Sequence, residues 1–256
     1  MDVPELTADE IQARVLHRDG LMLVIDKPAG LPVHRGPKGG ANLESSFDAL
    51  RFGLPRPPVL AHRLDRDTSG CLILGRHRKA LAQLGKLFKN GAIGKTYWTV
   101  VEGAPDADEG RIDLPLGRLD ESRGWWMKHD PQGQPSITTW KVLGRSSAPT
   151  GSLTWLALEP LTGRTHQLRV HCAEMGWPIL GDPIYGNAPR SGGPALHLHS
   201  RDIIVPLYKN RAPIEVIAPV PEHMRGQLEA CGWQGEDPAI VHHPSGNDAA
   251  VSKSSL

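Results

Sequence analysis

The chain has 256 residues, 39% of them hydrophobic, and a formal net charge of +1, enough for one large domain or two small ones around a substantial core. No apolar run approaches the roughly 20 residues that span a bilayer. The acidic N-terminus (Asp2, Glu5, Asp9, Glu10) lacks the basic start and apolar stretch of a secretory signal, so a cytoplasmic protein is expected. Three cysteines without CxxC spacing and twelve histidines without paired-ligand spacing argue against a metal centre and fit a reducing compartment.

In chain order, Thr7-Ala8-Asp9-Glu10 fits a capping box and predicts a short helix over 8–16. The apolar run Leu21-Met22-Leu23-Val24-Ile25 reads as a buried strand, broken by Lys27-Pro28-Ala29-Gly30. A Gly- and Pro-rich loop leads to a helical stretch over 43–51, and Arg56-Pro57-Pro58 forces an extended backbone over the residues leading to His62. Cys71-Leu72-Ile73-Leu74 is strand-like, and Leu81, Leu84, Leu87 and Phe88 give helical spacing over 77–89. A strand is predicted over 95–102, then hairpins over 110–142 that contain Trp125-Trp126. Core packing of one of these tryptophans and base stacking by the other are both open readings. Beyond lie a strand over 153–159, a turn over 161–164, a helix over 166–175 stopped by Gly176, strands near 195–199 and 214–217, and a helix over 221–231. After Gly235 the composition turns to Pro, Ser, Gly, Asn and Asp, which predicts disorder. Many short antiparallel runs with few helices make this an α+β chain: a mixed, mainly antiparallel sheet flanked by helices.

Charge is uneven. Between Arg51 and Trp98, ten Lys or Arg stand against two acids, a formal +8, which points to a polyanionic partner unless it is one solvated helix face. Inside that window lies His62-Arg63-Leu64-Asp65-Arg66-Asp67-Thr68-Ser69-Gly70. Nearby positive charge favours the ionised form of a carboxylate, and an ionised, positioned Asp65 suits covalent chemistry at a sugar or base carbon. Asp67-Thr68-Ser69-Gly70 is good turn chemistry, and an acid–base pair of Asp65 with Asp67 is the hydrolase alternative. On the predicted strand Lys95 and Tyr97 share a face, so Tyr97 is either a base-stacking side chain or a half-buried strand residue. In Gly163-Arg164-Thr165-His166-Gln167-Leu168-Arg169-Val170-His171, Thr165 and Arg169 are i, i+4 neighbours on the predicted helix. The planar fork of Arg169 suits a carboxylate held by another segment; an exposed surface arginine is the plainer alternative.

Together these segments resemble the RluA-type RNA pseudouridine synthases. The likeness is carried by the 19–34 stretch around Asp26-Lys27-Pro28, by the Asp65 motif, by Lys95-Thr96-Tyr97 with Gly103, and by the 162–171 motif continuing through Gly181-Asp182-Pro183-Ile184-Tyr185-Gly186. It runs from about Asp19 to Met224. Because the first motif starts at Asp19, the S4-type RNA-binding domain that many relatives carry in front is not expected. Val205-Pro206-Leu207 stands where relatives often show His-Pro.

The resemblance implies a pseudouridine synthase fold, isomerisation of specific uridines in tRNA or rRNA, and no cofactor, since the reaction involves neither redox change nor hydrolysis. It implies Asp65 as nucleophile, Tyr97 in the active site and Arg169 as the partner of Asp65. Arg63, Arg66, Arg76, Lys95, Arg164 and His166 are the expected RNA contacts. A nucleosidase or glycosidase using Asp65 and Asp67, or an RNA-binding module without catalysis, are the alternative readings. The expected organisation is a helical extension over 1–18, a catalytic domain over 19–235 and a tail over 236–256. The expected partner is an RNA stem-loop, met by a monomer away from membranes.

Overall fold

The computed structural model describes residues 5–36, 39–120, 125–146 and 151–235; the expected disordered tail lies outside them. Helix α1 (Ala8–Ala13) is held by the capping box, with Thr7 and Glu10 bonded reciprocally. The 1–18 extension is not purely helical, because β1 (Val15–Arg18) pairs with β2 (Met22–Lys27) and forms a sheet edge. Residues Leu43–Leu50 wind as a 3-10 helix, turning Leu43, Phe47 and Leu50 into the core. Then come β3 (Val59–Leu60), β4 (Ser69–Gly75), α2 (Arg78–Lys89), β5 (Gly94–Glu102), β6 (Glu109–Asp113) and the short hairpin β7 (Leu116–Arg118) and β8 (Met127–His129). The chain continues through β9 (Ile137–Ser146), β10 (Leu153–Pro160), α3 (Gln167–Glu174), β11 (Leu198–Val205), β12 (Ile214–Ile217) and α4 (Glu222–Ala230).

Among the described residues one ten-stranded sheet runs in the order β1-β2-β4-β11-β5-β10-β9-β6, with β12 on β11 and β3 on β4. Its pairings are antiparallel except for β11 with β4. This is the mixed, mainly antiparallel α+β architecture that the pattern of elements implied. Strands β2 and β4 carry near-continuous apolar runs because both their faces are covered. Leu23, Ile25, Leu72 and Leu74 pack on one side with Leu158 and Leu168. Their alternates Met22, Val24, Cys71 and Ile73 pack on the other with Leu84 of α2 and Ile203 and Val205 of β11. Trp98 and Trp155 pack with Met224 and Leu228 of α4.

Two elements depart from the sequence reading. β11 extends through His199-Ser200-Arg201-Asp202, polar residues that nonetheless lie buried between β4 and β5. Part of their polarity is absorbed internally: His199 Nδ1 bonds Ser69 Oγ at 2.8 Å, and Arg201 donates to the Ala218 carbonyl. Helix α3 starts at Gln167, because His166 adopts a left-handed conformation (φ 52°, ψ 19°) that ends the preceding loop. Thr165 therefore lies outside the helix and is not a helical neighbour of Arg169. Among the described residues no helix is long and apolar enough to cross a membrane.

Candidate active site

Strand register brings the distant motifs together. Lys27 lies opposite Gly70, Gly70 opposite Ser200, Ser200 opposite Tyr97, and Tyr97 opposite Leu158, one row across five strands. The Asp65 loop enters β4 one strand in from the β2 end of that row, and from its other end β10 leads through the 161–166 turn into α3. Gly70 is required where it stands: its φ is +102°, and a Cβ there would overlap the Ser200 carbonyl. His62 holds the approach to the loop, its Nε2 accepting from the Ile73 N–H at 3.0 Å.

These segments line a cavity of about 620 Å³ that includes Arg63, Asp65, Lys95, Tyr97, Arg164, His166 and Arg169. Asp65 keeps 20% of its side chain exposed and lies 3.7 Å from His166 Nε2. The loop after it closes with the Thr68 N–H donating to the Asp65 carbonyl at 3.2 Å. Beneath the loop sits Lys27, fully buried, its Nζ donating to the carbonyls of Pro28, Arg66 and Thr68 at 2.8 Å each. Burial pushes this ammonium down to about 7 against the pull of Asp67, Asp65 and Asp26. Lys27 is thus a positioning residue for the loop, one that its place beside a chain-breaking proline did not disclose.

His166 is the hub of the opposite wall. Its Nδ1 is 2.8 Å from the Tyr185 hydroxyl, which also accepts from the Met127 N–H at 2.9 Å. With Tyr185 donating to Nδ1, the proton of the neutral ring sits on Nε2 and faces Asp65. Burial lowers the His166 pKa and outweighs the pull of Asp65, which keeps the ring neutral. Gln167 anchors the start of α3 to β9, donating to the Ile137 carbonyl at 2.9 Å and to Thr138 Oγ1 at 3.0 Å. Burial pushes the Tyr97 phenol well above its ordinary range, and the charge of Asp65 adds to this, so Tyr97 meets the cavity protonated.

Two expectations need correction. Arg169 clasps Asp182 rather than Asp65: its Nε and one terminal nitrogen each lie 2.7 Å from an Asp182 oxygen. Asp182, on the turn after Gly181, is better placed because the Ile184 and Tyr185 amides also donate to it, at 2.8 and 3.1 Å. Burial opposes the charged form of Asp182, but the Arg169 hydrogen bonds and charge hold its carboxyl below the usual range. Arg169 still lines the cavity, and the negative charge of Asp65 favours its charged guanidinium. Arg76 does not line it. Its guanidinium ties loops together by donating to the carbonyls of Asp19, Arg51 and Phe52, which makes it a structural staple.

Arg66 and Asp67 line a separate cavity of about 450 Å³ on the 181–196 side of the loop. Arg66 Nε donates to the Gly30 carbonyl at 3.0 Å and lies 3.9 Å from Asp67. Asp65 and Asp67 therefore do not face one substrate across a shared cavity, and the paired-carboxylate hydrolase arrangement is absent from this loop. Sequence reasoning assigned no role to Lys27, Asp182 or Tyr185. The first hid as a loop lysine, and the other two sat in a turn with no periodicity to mark them.

A family model described as RNA pseudouridylate synthase matches residues 21–174. An uncharacterized RNA pseudouridine synthase of Zymomonas mobilis is 41% identical, over 82% of this chain and 94% of that protein. Ribosomal large subunit pseudouridine synthase C of Vibrio cholerae is 32% identical, over 86% of this chain and 69% of that protein. The solved structure of human RNA pseudouridylate synthase domain containing 4 superposes with a TM-score of 0.71 at 27% identity, covering 88% of this chain and 95% of that one.

Proposed function

Because the chain belongs to the RNA pseudouridylate synthase family and isomerises uridine in RNA to pseudouridine, we propose that Asp65 is its nucleophile and the cavity around it the uridine site. The observation that carries this reading is convergence: Asp65, Tyr97 and Arg169, from three segments far apart in sequence, line one cavity. In the reaction the N1–C1′ bond breaks, the uracil turns, a C5–C1′ bond forms, and the proton lost from C5 is balanced by one gained at N1. Asp65 serves either by attacking the ribose anomeric carbon or by adding to the base ring; both use the same ionised carboxylate. Tyr97 forms an aromatic wall for the uracil, and Arg169, braced by Asp182, supplies fixed positive charge beside the reacting groups. The chemistry conserves oxidation state and consumes no water, so it calls for no cofactor.

The base must leave its stack to reach Asp65, at a cost of a few kcal/mol. A tRNA or rRNA stem-loop, whose loop bases are already splayed, lowers that cost and is the substrate we assign. The relative named for the ribosomal large subunit favours the rRNA branch. Arg63, Lys89, Lys95 and Arg164, which line the cavity, are the phosphate contacts of this reading, with Arg66 on the far side of the loop. We assign a monomer acting in the cytoplasm, in keeping with the bacterial relatives.

The test is Asp65→Asn against Asp67→Asn, on RNA from a strain lacking the gene. Asp65→Asn is expected to abolish pseudouridine formation with RNA binding retained, and Asp67→Asn to cost far less. Near wild-type turnover by Asp65→Asn would overturn the assignment. Release of free uracil by the wild type would instead support hydrolysis.

A further inference from the structure

We propose that Trp125, two residues before β8, is a stacking platform for a nucleobase next to the target uridine. The proposal rests on the uridine-site reading above and extends it to a second subsite. Trp125 stands 56% exposed, although an indole of this size is ordinarily largely covered. It is not loose on the surface. Its ring meets His166 edge-on at 5.4 Å between centroids, and His166 in turn lies 3.7 Å from Asp65. On its other flank Trp126 packs against it at 5.9 Å, with the Arg190 guanidinium 5.0 Å from the Trp126 centroid. The hairpin is pinned to the site by the Met127 N–H bond to the Tyr185 hydroxyl. T-shaped contacts with two rings hold the indole, which stays more than half exposed next to a residue that lines the cavity.

A base is the occupant that the surroundings select. Flipping a uridine out of its stack strips its neighbour of a stacking partner. An immobilised, exposed indole beside the cavity replaces that partner for any base, since every base has a π-face. Arg63 and Arg164 in the adjoining cavity, and Arg190 over Trp126, suit the phosphates that come with it. Trp125 thus acts on the RNA flanking the target, whereas Tyr97 faces the target base.

The experiment compares wild type, Trp125→Phe and Trp125→Ala in the full chain. Pseudouridine formation is followed against the concentration of RNA from a strain lacking the gene. Stacking is followed by tryptophan fluorescence during titration with a single-stranded uridine nonamer. Removing one base–aromatic stack is worth about 1–3 kcal/mol, so Trp125→Ala is expected to raise KM roughly 5- to 150-fold while kcat at saturating RNA stays within about two-fold. Trp125→Phe, which keeps a ring, is expected to recover most of the KM while losing the fluorescence quenching that the nonamer produces in wild type. An unchanged KM with a lowered kcat would overturn the proposal, because Trp125 would then only brace His166. Equal quenching in wild type and Trp125→Phe would overturn it as well. Wild type that forms no pseudouridine would count against the uridine-site reading alone, since the nonamer titration still scores Trp125.

Discussion

Arg169 and Asp182 are locked fork to fork: two guanidinium nitrogens each lie 2.7 Å from a carboxylate oxygen, and the side chains are only 3% and 1% exposed. The pair spans the start of α3 and the turn carrying Tyr185, so it fixes the wall from which His166 faces Asp65. Removing one partner leaves a buried charge uncompensated, which typically costs about 3–5 kcal/mol. Asp182→Ala is expected to lower unfolding free energy by about that amount in urea titrations. Arg169→Lys is expected to be nearly as damaging as Arg169→Ala, because an ammonium cannot make the bidentate pair. Since the folded pKa of Asp182 lies below 3.8, its contribution is fully present above that value and is lost as pH falls beneath it. Variants that lose no more stability than a surface substitution, at any pH, would show the pair to be dispensable.

The ammonium of Lys27 gives a pH dependence of the same sign in a higher window, from a different cause: burial that disfavours its charged form. Burial lowers its pKa from 10.5 to about 7, so between those values the unfolded chain binds more protons than the folded one, and folding becomes more favourable as pH rises. Lys27→Met is expected to remove that slope while reducing turnover, because the Pro28, Arg66 and Thr68 carbonyls lose their common donor. Urea midpoints at pH 7 and pH 9 check it: the gap between wild type and variant should change in favour of wild type at the higher pH. Parallel pH profiles would mean that Lys27 does not titrate in this range.

Much of this arrangement was readable in the sequence, for a physical reason. The apolar runs of β2 and β4, the helical spacing of α2 and the strand bearing Lys95 and Tyr97 are local patterns, and a local pattern fixes a local element. The motif residues Asp65, Tyr97 and Arg169 could be gathered to one cavity because family likeness carries register, which local pattern does not. What escaped was pairing chosen by tertiary geometry. Nothing near Asp182 in sequence marks it as the clasp for Arg169, thirteen residues earlier. Arg76 looked like one more cation in a basic window, yet three backbone carbonyls claim it. The buried polar run of β11 reads as solvent-exposed until β4 and β5 enclose it.

Gly70 tests the register row directly. With φ at +102° and the Ser200 carbonyl where a Cβ would stand, Gly70→Ala has to displace either β11 or the Asp65 loop. The expected result is a loss of several kcal/mol of stability, combining backbone strain and steric overlap, together with loss of activity. Gly85, on α2 with open space around its Cβ, is the control: Gly85→Ala is expected to stabilise by up to about 1 kcal/mol. Thermal unfolding of the two variants separates these outcomes, and a Gly70→Ala variant as stable as wild type would refute the close approach of β4 to β11.

RNA binding is expected to weaken steeply with salt, and the structure narrows which cations are responsible. Of the ten Lys and Arg between Arg51 and Trp98, only Arg63, Lys89 and Lys95 line the cavity, and Arg164 joins them from the 161–166 turn. Four neutralised phosphates at about −0.7 each give a slope near −3 in log K against log salt for single-stranded contacts. Lys89→Glu, at the cavity end of α2, is expected to flatten that slope by more than one phosphate's worth, since it replaces attraction with repulsion. Lys79→Glu, in the first turn of the same helix and away from the cavity lining, is expected to change it far less. Binding isotherms at several salt concentrations decide the matter. Equal effects from Lys79→Glu and Lys89→Glu would mean that the whole exposed face of α2 meets the RNA backbone, and a slope near zero would leave recognition to shape and stacking.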